Sequence, residues 1–304
     1  MNASNAYYGL PVLITGGCGF IGSHLAEKLV HLGAQVTIMD NLSTGKLSNI
    51  ESIKNRIRFI NGSITDKTSC LDASHDQQII FHLAAIVSVA ESIKNPTACH
   101  EINANGTNNI LEAARSSNVK RVLFSSSAAV YGNTDLICHE QMACNPESPY
   151  GFSKRIGELL CQQYSYTYNL ETVILRYFNV YGPRQNPDGP YAAVVAKFTE
   201  QIKNCEPITI YGNGLQTRDF IHVNDVVQAN TSLALAPVPK GDTFNIATGK
   251  SLTLLELIDT LKHHYPNSTS TINFQSERSG DLKYSQADCS KYKTFVDKIN
   301  TITI

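Results

Sequence analysis

Residues 13–22 read LITGGCGFIG, and the four glycines packed into seven positions admit two spacings. Gly17, Gly19 and Gly22 satisfy G-x-G-x-x-G, while Gly16, Gly19 and Gly22 satisfy the looser G-x-x-G-x-x-G. The flanks decide what either spacing means. An apolar, β-branched run at 12–15 precedes the glycines, and a stretch of helical period, SHLAEKLV (23–30), follows them. A strand that ends in a glycine turn and feeds a helix brings backbone N–H groups and the positive end of the helix dipole to one point, where an anion such as a pyrophosphate binds. The next apolar run, QVTIMD, ends in Asp40, 18 residues past Gly22, placed to accept hydrogen bonds from a ribose diol. Strand, glycine turn, helix and terminal acid together predict a dinucleotide site. Asp40 repels a 2′-phosphate and Asn41-Leu42 supplies no arginine beside it, so NAD is favoured over NADP. Arg56 and Arg58 stand too far along the chain to reverse that preference.

Working outward, apolar runs recur at 12–15, 35–39, 57–60, 79–83, 122–125 and 172–176, with helical periods between most of them, as at 107–115. The runs are continuous rather than alternating, the mark of strands buried on both faces. They predict an α/β fold, a doubly wound parallel Rossmann sheet with helices on both sides. After Phe178 the regularity fades. YGPRQNPDGP (181–190) reads as a long turn-rich loop, 192–201 as a helix and 243–247 as one more strand. The expected organisation is an NAD-binding Rossmann domain over 1–178, with returns near 219–248, and a smaller mixed, mainly substrate-binding region over 179–304.

Composition narrows the function classes. A chain of 304 residues with 42% hydrophobic and 17% charged residues is that of an ordinary globular protein able to bury a large core. A net charge of -1 offers no basic field for nucleic acid, and no stretch approaches the roughly 18 uninterrupted apolar residues of a membrane helix. Neither nucleic acid nor membrane is expected as a partner. The start, MNASNAYYGLPV, has neither the charged nor the apolar segment of a secretion signal, which predicts a cytoplasmic location. The eight cysteines lack C-x-x-C or Cys/His spacing and are expected to be reduced, with no metal site. His263-His264 would diverge on a helix and reads as a polar helix end.

Two further motifs carry chemistry. RVLFSSSAAVYG places Ser125, Ser126 and Ser127 at the carboxyl end of a strand, where ligands bind in open α/β sheets. In SPYGFSK, Ser148 and Pro149 mark a helix start, and Tyr150 and Lys154 at i and i+4 lie on one face. Oxidising a hydroxyl requires a group that takes its proton while a hydride leaves the same carbon. A tyrosinate suits this if its pKa falls from about 10 toward 7, a change of roughly 4 kcal/mol. A lysine cation and a positive nicotinamide ring favour the phenolate, and Ser127 can share the developing charge on the substrate oxygen. The bland alternative is an exposed Tyr/Lys pair; the glycine turn upstream and the serine cluster weigh against it.

TGGCGFIG, the SSS cluster and YGFSK together resemble the extended short-chain dehydrogenase/reductase family, whose glycine pattern is the looser one. The resemblance runs from about Pro11 to Ser290. It implies a Ser127, Tyr150 and Lys154 catalytic set, with Asn103 in the surrounding hydrogen-bond network. It implies NAD held by Gly16, Gly19, Phe20, Ile21, Gly22, Asp40, Asn41, Ser43, Ile64, Leu83, Ala84 and Ala85, beside Tyr150 and Lys154.

Within that family, the 4,6-dehydratases and the UDP-glucuronate decarboxylase group place acids directly after the catalytic Ser/Thr, where this chain has Ala128-Ala129. Without them the simplest remaining chemistry is oxidation at C4 followed by return of the hydride. The segments at 176–198, 217–226 and 278–291 resemble UDP-hexose 4-epimerases, particularly those accepting N-acetylated sugars. The likeness implies a UDP-sugar substrate contacted by Ser88, Ser127, Asn179, Arg218, Arg278 and Asp281. At the position three before the A-D-x-S run, epimerases restricted to glucose and galactose commonly carry Tyr; Ser285 here implies room for a 2-acetamido group, and so UDP-GlcNAc/UDP-GalNAc, with UDP-Glc/UDP-Gal as a further pair. The rivals are a UDP-glucuronate 4-epimerase or other sugar-nucleotide oxidoreductase, and a non-catalytic dinucleotide sensor. The resemblance also implies a homodimer. Two departures stand out: GSITD (62–66) replaces the usual G-D-x-x-D, predicting weaker cofactor binding, and the chain stops sooner after the A-D-x-S run than its likenesses do, which puts the closing C-terminal helix in question.

Overall fold

The computed structural model describes residues 6–186, 194–277 and 283–302. Strands β1 (Pro11–Thr15), β2 (Gln35–Asp40), β3 (Ile57–Asn61), β4 (Ile79–His82), β5 (Arg121–Ser127) and β6 (Glu171–Tyr177) form one parallel sheet. After three-stranded returns elsewhere, β10 (Asp242–Ile246) joins its far edge, giving the order β10-β6-β5-β4-β1-β2-β3. The order reverses direction between β1 and β4, so the two halves diverge there and leave a crevice at their carboxyl ends. Thr15, Asp40, His82 and Ser127 all end strands on that edge.

The strands are continuous apolar runs because both faces are covered. Helices α1 (Phe20–His31) and α8 (Val223–Leu235) close one face, packing Leu25, Leu29, Val226 and Leu233 onto Val12, Ile14 and Phe244. On the other face α2 (Lys67–Ser74), α5 (Gly106–Ser116) and α6 (Pro149–Tyr168) pack Ile110, Leu111 and Cys161 onto Leu13, Ile80 and Phe124. Ile14 and Leu13 have no exposed surface, and truncating either to Ala removes about 2–5 kcal/mol of stability. The sheet's amino end is tied by Arg121, whose Nη1 donates to the carbonyls of Leu233, Ala234 and Ala236 at the end of α8 while its Nε and Nη2 grip Glu171.

The second half supplies smaller layers. β7 (Asn179–Tyr181), β9 (Thr217–His222) and β11 (Ser251–Thr253) make a three-stranded sheet in the order β11-β9-β7. β8 (Ile208–Tyr211) pairs in parallel with β12 (Ile272–Gln275), covered by α7 (Val194–Lys203) and α9 (Leu254–His264) around Phe198, Ile202, Ile210 and Ile258. His263 and His264 end α9. A helix does follow the A-D-x-S run. α10 (Ser290–Ile302) lies along β10: Lys291 Nζ bonds Asp242 Oδ1 and, at 2.8 Å, the carbonyl of Thr243, and the Phe295 and Phe244 rings meet at 5.4 Å. A helix over the edge strand removes its tendency to pair with another chain. No helix among the described residues is long and apolar enough to cross a membrane.

Candidate active site

Three of the four glycines in the turn leave no room for a side chain. Gly16 has φ +70°, the left-handed region, and a Cβ there would stand 2.8 Å from the Ala84 nitrogen. A Cβ on Gly22 would lie 2.2 Å from the Gly16 carbonyl oxygen, so the helix start and the turn are in direct backbone contact. Gly17 is excluded from bearing a side chain by Ile38, 2.6 Å away on β2. Gly19 caps α1 with no side-chain acceptor, and the first turn, which includes Phe20 and Ile21, carries no acid. Its N–H groups and dipole face the crevice, and this cradle fits a pyrophosphate.

Asp40 is buried at the end of β2, where Oδ2 accepts from the Cys18 N–H at 2.9 Å and Oδ1 from the Leu42 N–H at 2.8 Å. The carboxylate therefore braces the glycine turn while each oxygen keeps a lone pair for a ribose hydroxyl. Asn41 and Ser43 form the next turn, Asn41 Oδ1 accepting from the Ser43 N–H. Arg56 and Arg58 are committed away from it, to the Val30 carbonyl and to Asp72. In the 62–66 segment the acid, Asp66, caps α2 through the N–H groups of Thr68 and Ser69, and Ile64 is buried against Gly106.

Between β1 and β4 runs a directed chain of hydrogen bonds. The Ala84 N–H donates to Thr15 Oγ1 at 3.2 Å, Thr15 Oγ1 lies 2.7 Å from His82 Nδ1, and His82 Nε2 lies 3.0 Å from Thr107 Oγ1, which donates to the Asn103 carbonyl. Thr107 has spent its one proton, so it accepts from His82, and the imidazole carries its proton on Nε2. Burial, helped by the Lys154 cation, lowers the His82 pKa from 6.5 to about 3 and keeps the ring neutral. Leu83, Ala84 and Ala85 thus follow a strand end locked to the glycine turn.

Tyr150, Lys154 and Ser127 converge at the end of β5. Ser148 caps α6 through the Gly151 N–H with Pro149 at the first helical position, so Tyr150 enters on the first turn. Its backbone N–H donates to Ser92 Oγ, and its carbonyl accepts from Ser153. Burial raises the phenol above its ordinary value of 10, and hydrogen bonding from Ser127 offsets part of that rise. Ser127 Oγ accepts from the Ala129 N–H, which leaves its own proton to donate. Lys154, one turn on, donates to the Ser125 carbonyl at 2.8 Å with Nζ 6.0 Å from the Tyr150 ring centre. Burial lowers its pKa to about 8. Asn103 serves the surroundings: its amide clasps both backbone groups of Ile86 at 2.8 Å and reaches Ser153 Oγ at 3.0 Å.

A buried ion pair behind this group was not foreseen. Glu158, on the Tyr150/Lys154 face of α6, accepts from Ser126 at 2.6 Å and from Arg176 Nε and Nη2, both at 2.8 Å. Burial alone would raise the Glu158 carboxyl, but Arg176 more than offsets it and holds it below the ordinary range. The i+8 spacing from Tyr150 was a signal that this acid faces inward; nothing in the sequence pointed to Arg176.

On the substrate side, Ser88 caps α3 (Val89–Lys94) through the Glu91 N–H. Asn179 opens β7, its Nδ2 3.1 Å from the Asp219 carbonyl and 3.4 Å from Ser285 Oγ. Arg218 lies on β9, with Nη1 donating to the Thr217 carbonyl. Arg278 and Asp281 fall outside the described residues.

Comparison with known proteins now bears on the crevice, whose glycine cradle and Ser/Tyr/Lys group are in place. Residues 12–247 match the NAD dependent epimerase/dehydratase family. The chain belongs to that family. It is 42% identical over 257 residues to a putative UDP-glucose 4-epimerase of Methanocaldococcus jannaschii, covering 83% of this chain and 81% of the relative. It is 38% identical over 266 residues to a UDP-N-acetyl-alpha-D-glucosaminuronate decarboxylase of Bacillus cytotoxicus, covering 86% and 81%. A UDP-N-acetylglucosamine 4-epimerase from Methanobrevibacter ruminantium, solved in complex with UDP-N-acetylmuramic acid, superposes with a TM-score of 0.90 at 37% identity, covering 95% of this chain and 92% of that one. The protein is an NAD-dependent enzyme of the nucleotide-sugar epimerase kind.

Proposed function

We propose that this enzyme interconverts UDP-GlcNAc and UDP-GalNAc, with UDP-Glc and UDP-Gal as a second substrate pair, by transient oxidation at C4. The observation that carries the reading is Ser127 beside Tyr150 at the end of β5 with Ala128 and Ala129 next in the chain: a base and an oxygen-binding hydroxyl stand together without an acid for elimination. Tyr150, as phenolate, takes the O4 proton. Burial raises the phenol; the Lys154 ammonium, 6.0 Å from the ring centre, together with a bound nicotinamide would favour the phenolate against it. NAD, when bound, accepts the C4 hydride and gives it back. Ser127 donates to the C4 oxygen, Arg218, Arg278 and Asp281 hold the UDP moiety while the 4-keto sugar turns to present its other face to the returning hydride, and Tyr150 gives its proton back to the C4 oxygen. Ser285, small where the glucose- and galactose-restricted epimerases commonly carry Tyr, supports room for an acetamido group.

The same reading takes 1–178 as the NAD domain, with returns near 219–248, and 179–304 as the substrate region. It makes the enzyme a cytoplasmic homodimer. The eight free cysteines suit a reducing compartment. Phe152, Ile156 and Leu159, 52%, 37% and 49% exposed on the outer face of α6, form an apolar stripe that a second copy would cover.

The test is proton NMR of the anomeric region after incubation with UDP-GlcNAc and no added NAD. New UDP-GalNAc signals support the substrate and a retained cofactor; none, even after NAD is added, overturns the acetamido assignment. Stoichiometric absorbance change at 340 nm would instead mark net oxidoreduction.

A further inference from the structure

Asp219 lies on β9 directly after Arg218, with no exposed surface. A buried carboxylate needs compensation, and among the described residues its hydrogen bonds come from neutral donors on two other segments. Oδ1 accepts from the Thr248 N–H at 2.9 Å and the Thr248 hydroxyl at 2.7 Å; Oδ2 accepts from the Gly249 N–H at 2.9 Å and the Ala287 N–H at 3.3 Å. Its main-chain carbonyl accepts from Asn179 Nδ2, which also reaches Ser285 Oγ. One residue therefore joins three pieces of chain: β9 with Arg218, the 248–249 turn behind β10, and the 285–287 run. The Gln286 amide adds a second tie, donating to the Gly249 carbonyl. Asn179, expected to meet the substrate, spends its amide on this joint.

We propose that Asp219 is a positioning residue for nucleotide-sugar recognition: its carboxylate sets the distance between Arg218 and Ser285, and so both UDP affinity and the room at the sugar's 2-position. This rests on the substrate reading above. Asp219→Asn is the informative change, because the amide keeps one acceptor oxygen but turns the other position into a donor. Set toward Thr248, it leaves the Gly249 and Ala287 N–H groups facing an NH2, which releases the Ser285 run. The glycine cradle is built from β1, α1 and β2, so NAD binding stays.

The experiment combines UDP calorimetry, steady-state kinetics on UDP-GlcNAc and UDP-Gal, and NAD content in purified wild type and Asp219→Asn. The expected result is UDP affinity weakened and KM raised roughly tenfold, a changed ratio of KM values for the two sugars, kcat little altered and NAD content unchanged. Thr248→Val, which removes one of the four donors, should shift KM in the same direction by a smaller factor, and it decides the matter if Asp219→Asn does not fold. An unchanged KM with a lower melting temperature, or equal loss of NAD and UDP, overturns the positioning role. Wild type that binds UDP but turns over neither sugar would sink the substrate reading instead, while the UDP calorimetry still tests Asp219.

Discussion

Acidification should destabilise this enzyme through one imidazole. His82 sits between Thr15 and Thr107 with its proton on Nε2, and a second proton on Nδ1 would break the bond from Thr15 and place a charge beside Lys154. Its pKa falls from 6.5 in the unfolded chain to about 3 in the fold. Below pH 6.5 the unfolded chain therefore gains a proton that the folded one refuses until about pH 3, and stability present at neutral pH drains away as pH falls across that window. Between pH 7 and pH 5 the loss is about 2 kcal/mol, a sizeable share of the ~5–15 kcal/mol that stabilises a typical protein. Urea unfolding followed by circular dichroism at several pH values reads this directly, with His82→Gln as the control. Gln keeps the donor toward Thr107 and loses the partner of Thr15, so the variant starts less stable at neutral pH. It should then lose about 2 kcal/mol less than wild type on going to pH 5. Equal losses in the two proteins would refute the neutral, buried imidazole.

Four other outcomes follow from the same geometry. Tyr150→Phe should keep the fold and NAD yet lower kcat by roughly 10²–10⁴-fold, read by the NMR assay; substantial residual turnover would remove Tyr150 from the chemistry. Gly22→Ala places a methyl 2.2 Å from the Gly16 oxygen, so the variant should bind NAD far more weakly than wild type in calorimetry, and equal affinity would remove the glycine turn from the cofactor site. Ser285→Tyr should abolish turnover of the acetamido sugar while sparing UDP-Gal; unchanged acetamido turnover would move the 2-position elsewhere. Glu158→Gln leaves Arg176 buried with its charge uncompensated and should cost about 3–5 kcal/mol, whereas Glu158→Leu with Arg176→Met should recover most of it in urea unfolding.

How much of this was legible in the chain depends on how far each cause reaches along it. The sheet strands announce themselves because burial on both faces makes each a continuous apolar run, and their predicted positions lie within a residue or two of the observed ones. The α6 start was readable from Ser148 and Pro149 because a cap acts across three residues. Tyr150 and Lys154 share a face for the same local reason. Asp219 gave no comparable signal, and the spacing that turns Glu158 inward does not name its partner. The donors to Asp219 lie 29 to 68 residues away, and Glu158 meets Arg176 across 18 residues and two elements. Neither separation has a period or motif. Such partners depend on strand order and on register, as where β5 and β6 set Ser126 opposite Arg176, and only the assembled sheet fixes those. Asn179 illustrates the consequence. Its position in the chain marked it as a substrate contact, yet the fold turns its amide onto Asp219 and Ser285. The residues proposed to do the chemistry were visible from local pattern, and those that hold them at the right separation were not. Variants of the second kind should therefore alter KM and specificity more than kcat.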